Sequence, residues 1–235
     1  MSGIDVRPTV AAPDVDPYLW LEDVDGEQAL AWVDRQTDAT LARFGGPRLD
    51  ADATTLKTIF DRPDNIPYVT RRGPHLYNFW RDAAHPRGLW RRTTLDDYRA
   101  GAEAWEVLLD LDALAAREDE DWVWQGADLL HGTLDRSMLR LSRGGGDAVA
   151  LREFDLSSRA FVAGGFVTPV TKGFTDWIDR DTLLLSAALG EGMATQSGYA
   201  RTVRLWRRGT DPLAAPVIFE VPPERMSAGA GFDRE

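Results

Sequence analysis

Two hydrophobic periodicities divide the chain. Ala29, Trp32, Val33, Leu41 and Phe44 recur at helical spacing. Asp25-Gly26-Glu27-Gln28 opens that stretch as an N-cap acid followed three residues on by a glutamine, and Gly45-Gly46-Pro47 closes it. A shorter amphipathic turn is predicted over Asp52 to Phe60, presenting Leu56, Ile59 and Phe60 ahead of Pro63. From Pro67 the period becomes that of strands. Tyr68–Arg72, His75–Trp80, Leu89–Thr93, Trp105–Leu109, Trp122–Gln125, Met138–Leu141 and Ala148–Phe154 are short and rich in aromatic and β-branched residues. Arg72-Gly73-Pro74 and Gly144-Gly145-Gly146-Asp147 supply hairpin turns, so antiparallel sheet follows.

The strand region repeats itself. Leu89-Trp90-Arg91-Arg92 returns as Leu205-Trp206-Arg207-Arg208, with Leu151-Arg152-Glu153-Phe154 between them, at offsets of 62 and 54 residues. A strand precedes each copy (Tyr77–Arg81, Leu139–Ser142, Leu183–Ala187) and another follows it (Trp105–Leu109, Ala160–Val162, Val217–Glu220). Three imperfect units of three or four strands, with periodic aromatics, are the signature of β-propeller blades, while a β-sandwich is the alternative that such spacing allows. The expected fold is mainly β: a helical segment over 1–60, then about three antiparallel blades of an incomplete propeller over 61–235.

Charge narrows the partners. The 235 residues carry 27 basic and 38 acidic side chains, net −11, which repels nucleic-acid phosphates and anionic lipid. The acid is concentrated early, with net −6 over residues 1–60 and −5 over the remainder. No cysteine is present, which removes disulfides, thiolate metal sites and a cysteine nucleophile, and three histidines leave little for a metal. Met1 to Asp16 carries Asp5, Asp14 and Asp16 and no signal-like apolar run, and nothing later approaches the roughly 18 apolar residues of a membrane span. A cytoplasmic chain without cofactor, metal, nucleic acid or membrane is the expectation.

Asp16-Pro17-Tyr18-Leu19-Trp20-Leu21-Glu22-Asp23, followed by the helix through Gln36, resembles the opening of prolyl oligopeptidase family serine peptidases; Gln36-Thr37 replaces the family's Gln-Asn. Tyr77-Asn78-Phe79-Trp80-Arg81-Asp82, Gly88-Leu89-Trp90-Arg91-Arg92-Thr93 and Ser197-Gly198-Tyr199 also resemble a bacterial branch of that family, so the likeness runs from about Asp16 to about Val221. It implies a seven-bladed propeller beside an α/β-hydrolase domain that carries a Ser, Asp and His triad. It further implies that the N-terminal helix packs on the hydrolase domain and that the propeller admits only short peptides. About three blades fit in this chain, so the resemblance makes it the N-terminal and first propeller part of such a peptidase, as a truncated or split chain. The competing class is a non-enzymatic binding module.

Catalytic chemistry has no seat in these residues. The hydrolase nucleophile requires Gly-x-Ser-x-Gly, whereas Thr195 stands two before Ser197 and Arg225 two before Ser227. His75, His85 and His131 then have no serine to serve. Gly144-Gly145-Gly146 reads as a turn and not as a phosphate cradle. The run Glu118-Asp119-Glu120-Asp121 and the stretch Asp23-Val24-Asp25-Gly26 lack the spacing of a calcium loop, and the acidic run reads as a solvated loop. Nine tryptophans suit inter-blade core. Arg91, Arg92, Arg207 and Arg208 fall at equivalent places in successive units, which suggests repeat architecture before carboxylate binding. No catalytic, cofactor or metal residue is expected. With too few blades to close a ring, the first and last units are each expected to leave an uncovered aromatic face.

Overall fold

The computed structural model describes residues 16–23, 25–62, 64–102 and 104–233. Met1 to Val15, whose acids argue against a signal peptide, lie outside them, as does Val24. Two units separate, Met1–Arg62 and Pro63–Glu235.

In the first unit a 3₁₀ turn, Leu19–Glu22, precedes helices α1 (Glu27–Phe44) and α2 (Pro47–Phe60). The expected capping box does not form: Gly26 is the N-cap, no side chain caps the helix, and the Gly26 amide is turned back onto the Asp23 carbonyl. Gly45 and Gly46 do end α1, but Pro47 opens α2 at its first turn, because a missing N–H costs nothing there. The second helix is therefore longer than Asp52–Phe60. Trp20 meets Trp32 edge to face at 6.5 Å, and Ala29 is buried. Val33, Leu41 and Phe44 remain exposed.

The second unit holds three four-stranded antiparallel sheets, each in sequence order. Sheet 1 contains β1 (Thr70–Arg72), β2 (His75–Trp80), β3 (Leu89–Thr94) and β4 (Glu106–Asp110). Sheet 2 contains β5 (Trp122–Leu129), β6 (Arg136–Arg143), β7 (Val149–Asp155) and β8 (Ala160–Phe161). Sheet 3 contains β9 (Gly173–Asp179), β10 (Thr182–Ala187), β11 (Thr202–Arg207) and β12 (Val217–Glu220). The three repeat motifs all lie on the third strand of their sheets. They are not in step along it, for Leu89 begins β3 while Leu205 is the fourth residue of β11.

Helices α3 (Leu95–Arg99) and α4 (Leu111–Glu118) are additions to the strand pattern. Thr94 caps α3 by accepting from the Asp97 amide, and Asp110 caps α4 by accepting from the Ala113 amide. Strand β9 also escapes the sequence reading. Strand β5 runs past Gln125 because Gly126, at φ 128°, forms a bulge that lets the ladder with β6 resume.

Alternation sorts the sheet 2 side chains onto two buried faces. Trp122, Leu139, Leu141, Ala150 and Phe154 join Tyr77, Trp90 and the α4 residues Leu111 and Leu114 in one cluster. Met138, Val149 and Leu151 join Trp177, Leu183, Leu185 and Trp206 in another. Burial on both sides is why apolar residues stand side by side in these strands, as Met138-Leu139 in β6 and Val149-Ala150-Leu151 in β7.

The outer faces differ from each other. Sheet 1 turns half-exposed Trp80 and Trp105 outward, as expected. The far side of sheet 3 matches the expectation of an uncovered aromatic face only in part: Leu184, Val203, Ile178 and Leu205 form an aliphatic centre on which Val221, Ala228 and Ala230 pack, while Phe174 and Phe219 beside it stay exposed. Gly229 lies so close to Phe174 that a Cβ there would stand 2.5 Å from the ring. Small residues such as Ala228, Gly229 and Ala230 allow the strap, residues 221–230, to lie against the sheet.

Candidate functional site

Between sheets 1 and 2 the aromatic rings form a continuous stack. Tyr77 stacks on Trp90 at 6.0 Å, Trp90 meets Trp124 at 5.4 Å, and Trp124 lies parallel to Phe79 at 5.1 Å. They wall a cavity of about 210 Å³ that Tyr68, Thr70 and Arg72 border. At the other end of the same interface α4 delivers Glu118 to Arg152 on β7, with contacts of 2.8 and 3.1 Å, and the Trp122 indole donates to the same carboxylate at 2.8 Å. Arg152 also lies 3.6 Å over the Phe161 ring. Burial alone pushes the Glu118 carboxyl up, but Arg152 and Trp122 outweigh it and hold the group below the usual carboxylate range.

Sheets 2 and 3 are joined by a different device. Arg208 donates to both oxygens of Glu153 at 2.8 and 2.9 Å, and the glutamate side chain is fully buried. The Phe166 amide donates to Glu153 Oε2 at 2.9 Å. Phe166 itself wedges between Trp177 and Trp206, at 5.9 and 4.8 Å. The Trp177 indole donates to the Asp128 carbonyl at 2.9 Å.

The four arginines of the repeat are thus placed separately. Arg91 is sandwiched by Trp80 and Trp105 at 4.4 and 4.3 Å and donates to Asn78 Oδ1, and its burial lowers the pKa to about 10. Arg92 pairs with Glu106 at 2.6 Å and Arg208 with Glu153, while Arg207 is exposed. Their different surroundings follow from the different positions of the motif along its strand. The acidic run is not a solvated loop either: Glu118 holds Arg152, Glu120 pairs with Arg143, and Asp121 pairs with Arg87. Asp119 closes α4 in the left-handed region at φ 51°.

The tryptophans divide among the elements. Trp90, Trp122 and Trp124 lie between sheets 1 and 2, Trp177 and Trp206 between sheets 2 and 3, Trp80 and Trp105 on the outer face, and Trp20 and Trp32 in the helical unit. His85 Nδ1 lies 3.0 Å from Asp82 in the β2–β3 turn. His75 heads β2 edge-on to Tyr77, and burial together with the Arg92 charge holds its imidazole below the ordinary range. His131 is exposed in the turn after β5. Ser197 sits in a tight turn closed by Thr195 and Tyr199, with no helix behind it. Among the described residues no serine hydroxyl is bonded to a histidine ring. Gly144 and Gly145 turn β6 into β7 at φ 59° and 85°.

A family model described as prolyl oligopeptidase, N-terminal beta-propeller domain, matches residues 6–234. The chain is 37% identical over its whole length to the uncharacterized peptidase y4nA of Sinorhizobium fredii, and 30% identical over 90% of its length to the uncharacterized peptidase RP174 of Rickettsia prowazekii. It spans about a third of either relative, 33% and 30%. A solved post-proline cleaving enzyme from Rickettsia typhi superposes with a TM-score of 0.79 at 31% identity, over 87% of this chain and 31% of that one. Oligopeptidase B from Leishmania major shares the fold at a TM-score of 0.64 and 15% identity, over 94% of this chain and 30% of that one. With the three stacked sheets and the family match over nearly every residue, the chain belongs to the prolyl oligopeptidase family and falls in its N-terminal β-propeller region.

Proposed function

We propose that this chain is the access-controlling part of a prolyl oligopeptidase-type serine peptidase, with peptide-bond cleavage carried out on an α/β-hydrolase domain joined to it in one chain or supplied separately. The observation that carries the reading is that the chain accounts for about a third of each peptidase it matches. The stacked sheets gate by size: a substrate reaches the hydrolase only if it is short enough to pass them. The helical segment 1–60 docks on the hydrolase domain through Trp32, Val33, Leu41 and Phe44, three of which stand exposed. Among the described residues no helix is long and apolar enough to cross a membrane, and the absence of cysteine suits a reducing cytoplasm.

The test uses the hydrolase region of the Sinorhizobium fredii relative, assayed alone and with this chain. With the chain present, hydrolysis of a short proline-containing peptide is expected to persist while cleavage of an unfolded protein substrate is suppressed. Equal suppression of both substrates, or of neither, removes the gating role. The chain alone is expected to stay unlabelled by a fluorophosphonate probe.

A further inference from the structure

The stack of Tyr77, Phe79, Trp90 and Trp124 leaves a space that their own packing does not fill. At about 210 Å³ the cavity exceeds the roughly 150 Å³ apolar cavity that takes up a benzene ring. Arg72 stands at its border on β1, and among the described residues its guanidinium donates one hydrogen bond, 3.1 Å to the Arg71 carbonyl. Among the described residues neither Arg71 nor Arg72 pairs with a carboxylate, although the chain carries eleven more acids than bases. This distinguishes the cavity from the larger one on the outer face of sheet 1, whose Arg91 is taken up by Asn78 and two indoles. A third feature is main chain: among the described residues β1 pairs with β2 alone, so its other edge lies open to a further strand beside the cavity once Arg72 releases the Arg71 carbonyl.

A pocket walled by aromatic rings, a cation beside it and an open strand edge match one chemistry. We propose that this cavity binds the C-terminal residue of a peptide, with its apolar side chain among the four aromatic rings and its carboxylate on Arg72. The preceding residues lie along β1 as an added strand. A free carboxylate is what each peptide-bond hydrolysis creates, but the site stands on the cavity and on Arg72 and does not depend on the gating role. A charge-assisted bond from a guanidinium to a carboxylate favours the acid over its neutral amide.

The experiment titrates the tripeptide Ala-Ala-Phe and its C-terminal amide into the 235-residue chain. Binding is followed by calorimetry and by the indole N–H resonances of Trp90 and Trp124. The acid is expected to bind at least about tenfold more tightly than the amide, a difference of about 1.4 kcal/mol, and to shift both indole signals. In Arg72→Gln, an exposed change that leaves the fold intact, acid and amide are expected to bind alike. Ala127→Leu, which fills the cavity, weakens both, with far-UV circular dichroism as the check on folding. Equal affinities in the unaltered protein, silent indole signals, or an acid preference that survives Arg72→Gln each overturn the proposal.

Discussion

Arg208 and Glu153 lie 55 residues apart in sequence and close a two-point ion pair between sheet 3 and sheet 2, with the carboxylate wholly removed from water. Such a pair need not stabilise relative to an apolar one, but removing Arg208 takes away both of its hydrogen bonds and leaves the buried carboxylate, among the described residues, only the Arg136 guanidinium at 3.6 Å as a cationic partner. Arg208→Met is expected to lower unfolding stability by about 3 kcal/mol or more, and Arg208→Met with Glu153→Leu to recover most of that. Urea melts of the two variants decide it; equal losses in both would mean that the pair is incidental.

A pH dependence follows from Glu106 and Glu118. Arg92's hydrogen bond holds the first below the usual carboxylate range, and Arg152 with Trp122 holds the second there against burial. Both groups bind a proton more weakly folded than unfolded. Their contribution is therefore fully present above the unfolded glutamate pKa of about 4.3 and is lost as the pH falls through the lower folded values. Thermal melts across this acid range are expected to show a shallower decline for Glu118→Gln than for the unaltered protein.

Trp177 is fully buried and spends its indole N–H on the Asp128 carbonyl. Trp177→Ala is expected to cost about 3–5 kcal/mol through the cavity it leaves. Trp177→Phe should cost less, about 1–3 kcal/mol, through the smaller ring and the lost indole hydrogen bond. Denaturant midpoints that rank the two the other way would contradict this account of the interface.

Gly126 carries the bulge in β5 at φ 128°, and a Cβ there would stand 2.4 Å from the Arg140 guanidinium. The guanidinium can swing aside; the backbone cannot. Gly126→Ala is expected to destabilise by about 1–3 kcal/mol from the backbone strain alone, and Arg140→Ala in the same chain should not rescue it. A full rescue would assign the cost to the clash.

The docking role given to the helical segment is checked by Phe44→Asp, at a residue 67% exposed. The sheets of the isolated chain are expected to melt unchanged, while association with the hydrolase region weakens. A lowered melting temperature of the chain itself would contradict it.

Much of the architecture is written locally. The aromatic-rich run His75–Trp80 and the turn at Gly73 specify a hairpin without help from distant residues, and Leu-Trp-Arg-Arg marks the third strand of sheets 1 and 3, with Leu151-Arg152-Glu153-Phe154 in its place in sheet 2. Helix α4 is encoded locally as well, in Asp110 followed by Leu111, Leu114 and Ala115 at helical spacing, a signal of two turns that the strand periods on either side mask. What each charged side chain does was not legible. Arg91, Arg92, Arg207 and Arg208 look equivalent as letters, yet one is stacked between indoles, two are paired with different glutamates and one is exposed. Strand period and turn chemistry depend on neighbours a few residues away, so the sequence by itself determines them. The partner of a charge, the space left among four aromatic rings and the strap over sheet 3 depend on which faces stack, and only the packing of sheet on sheet decides that.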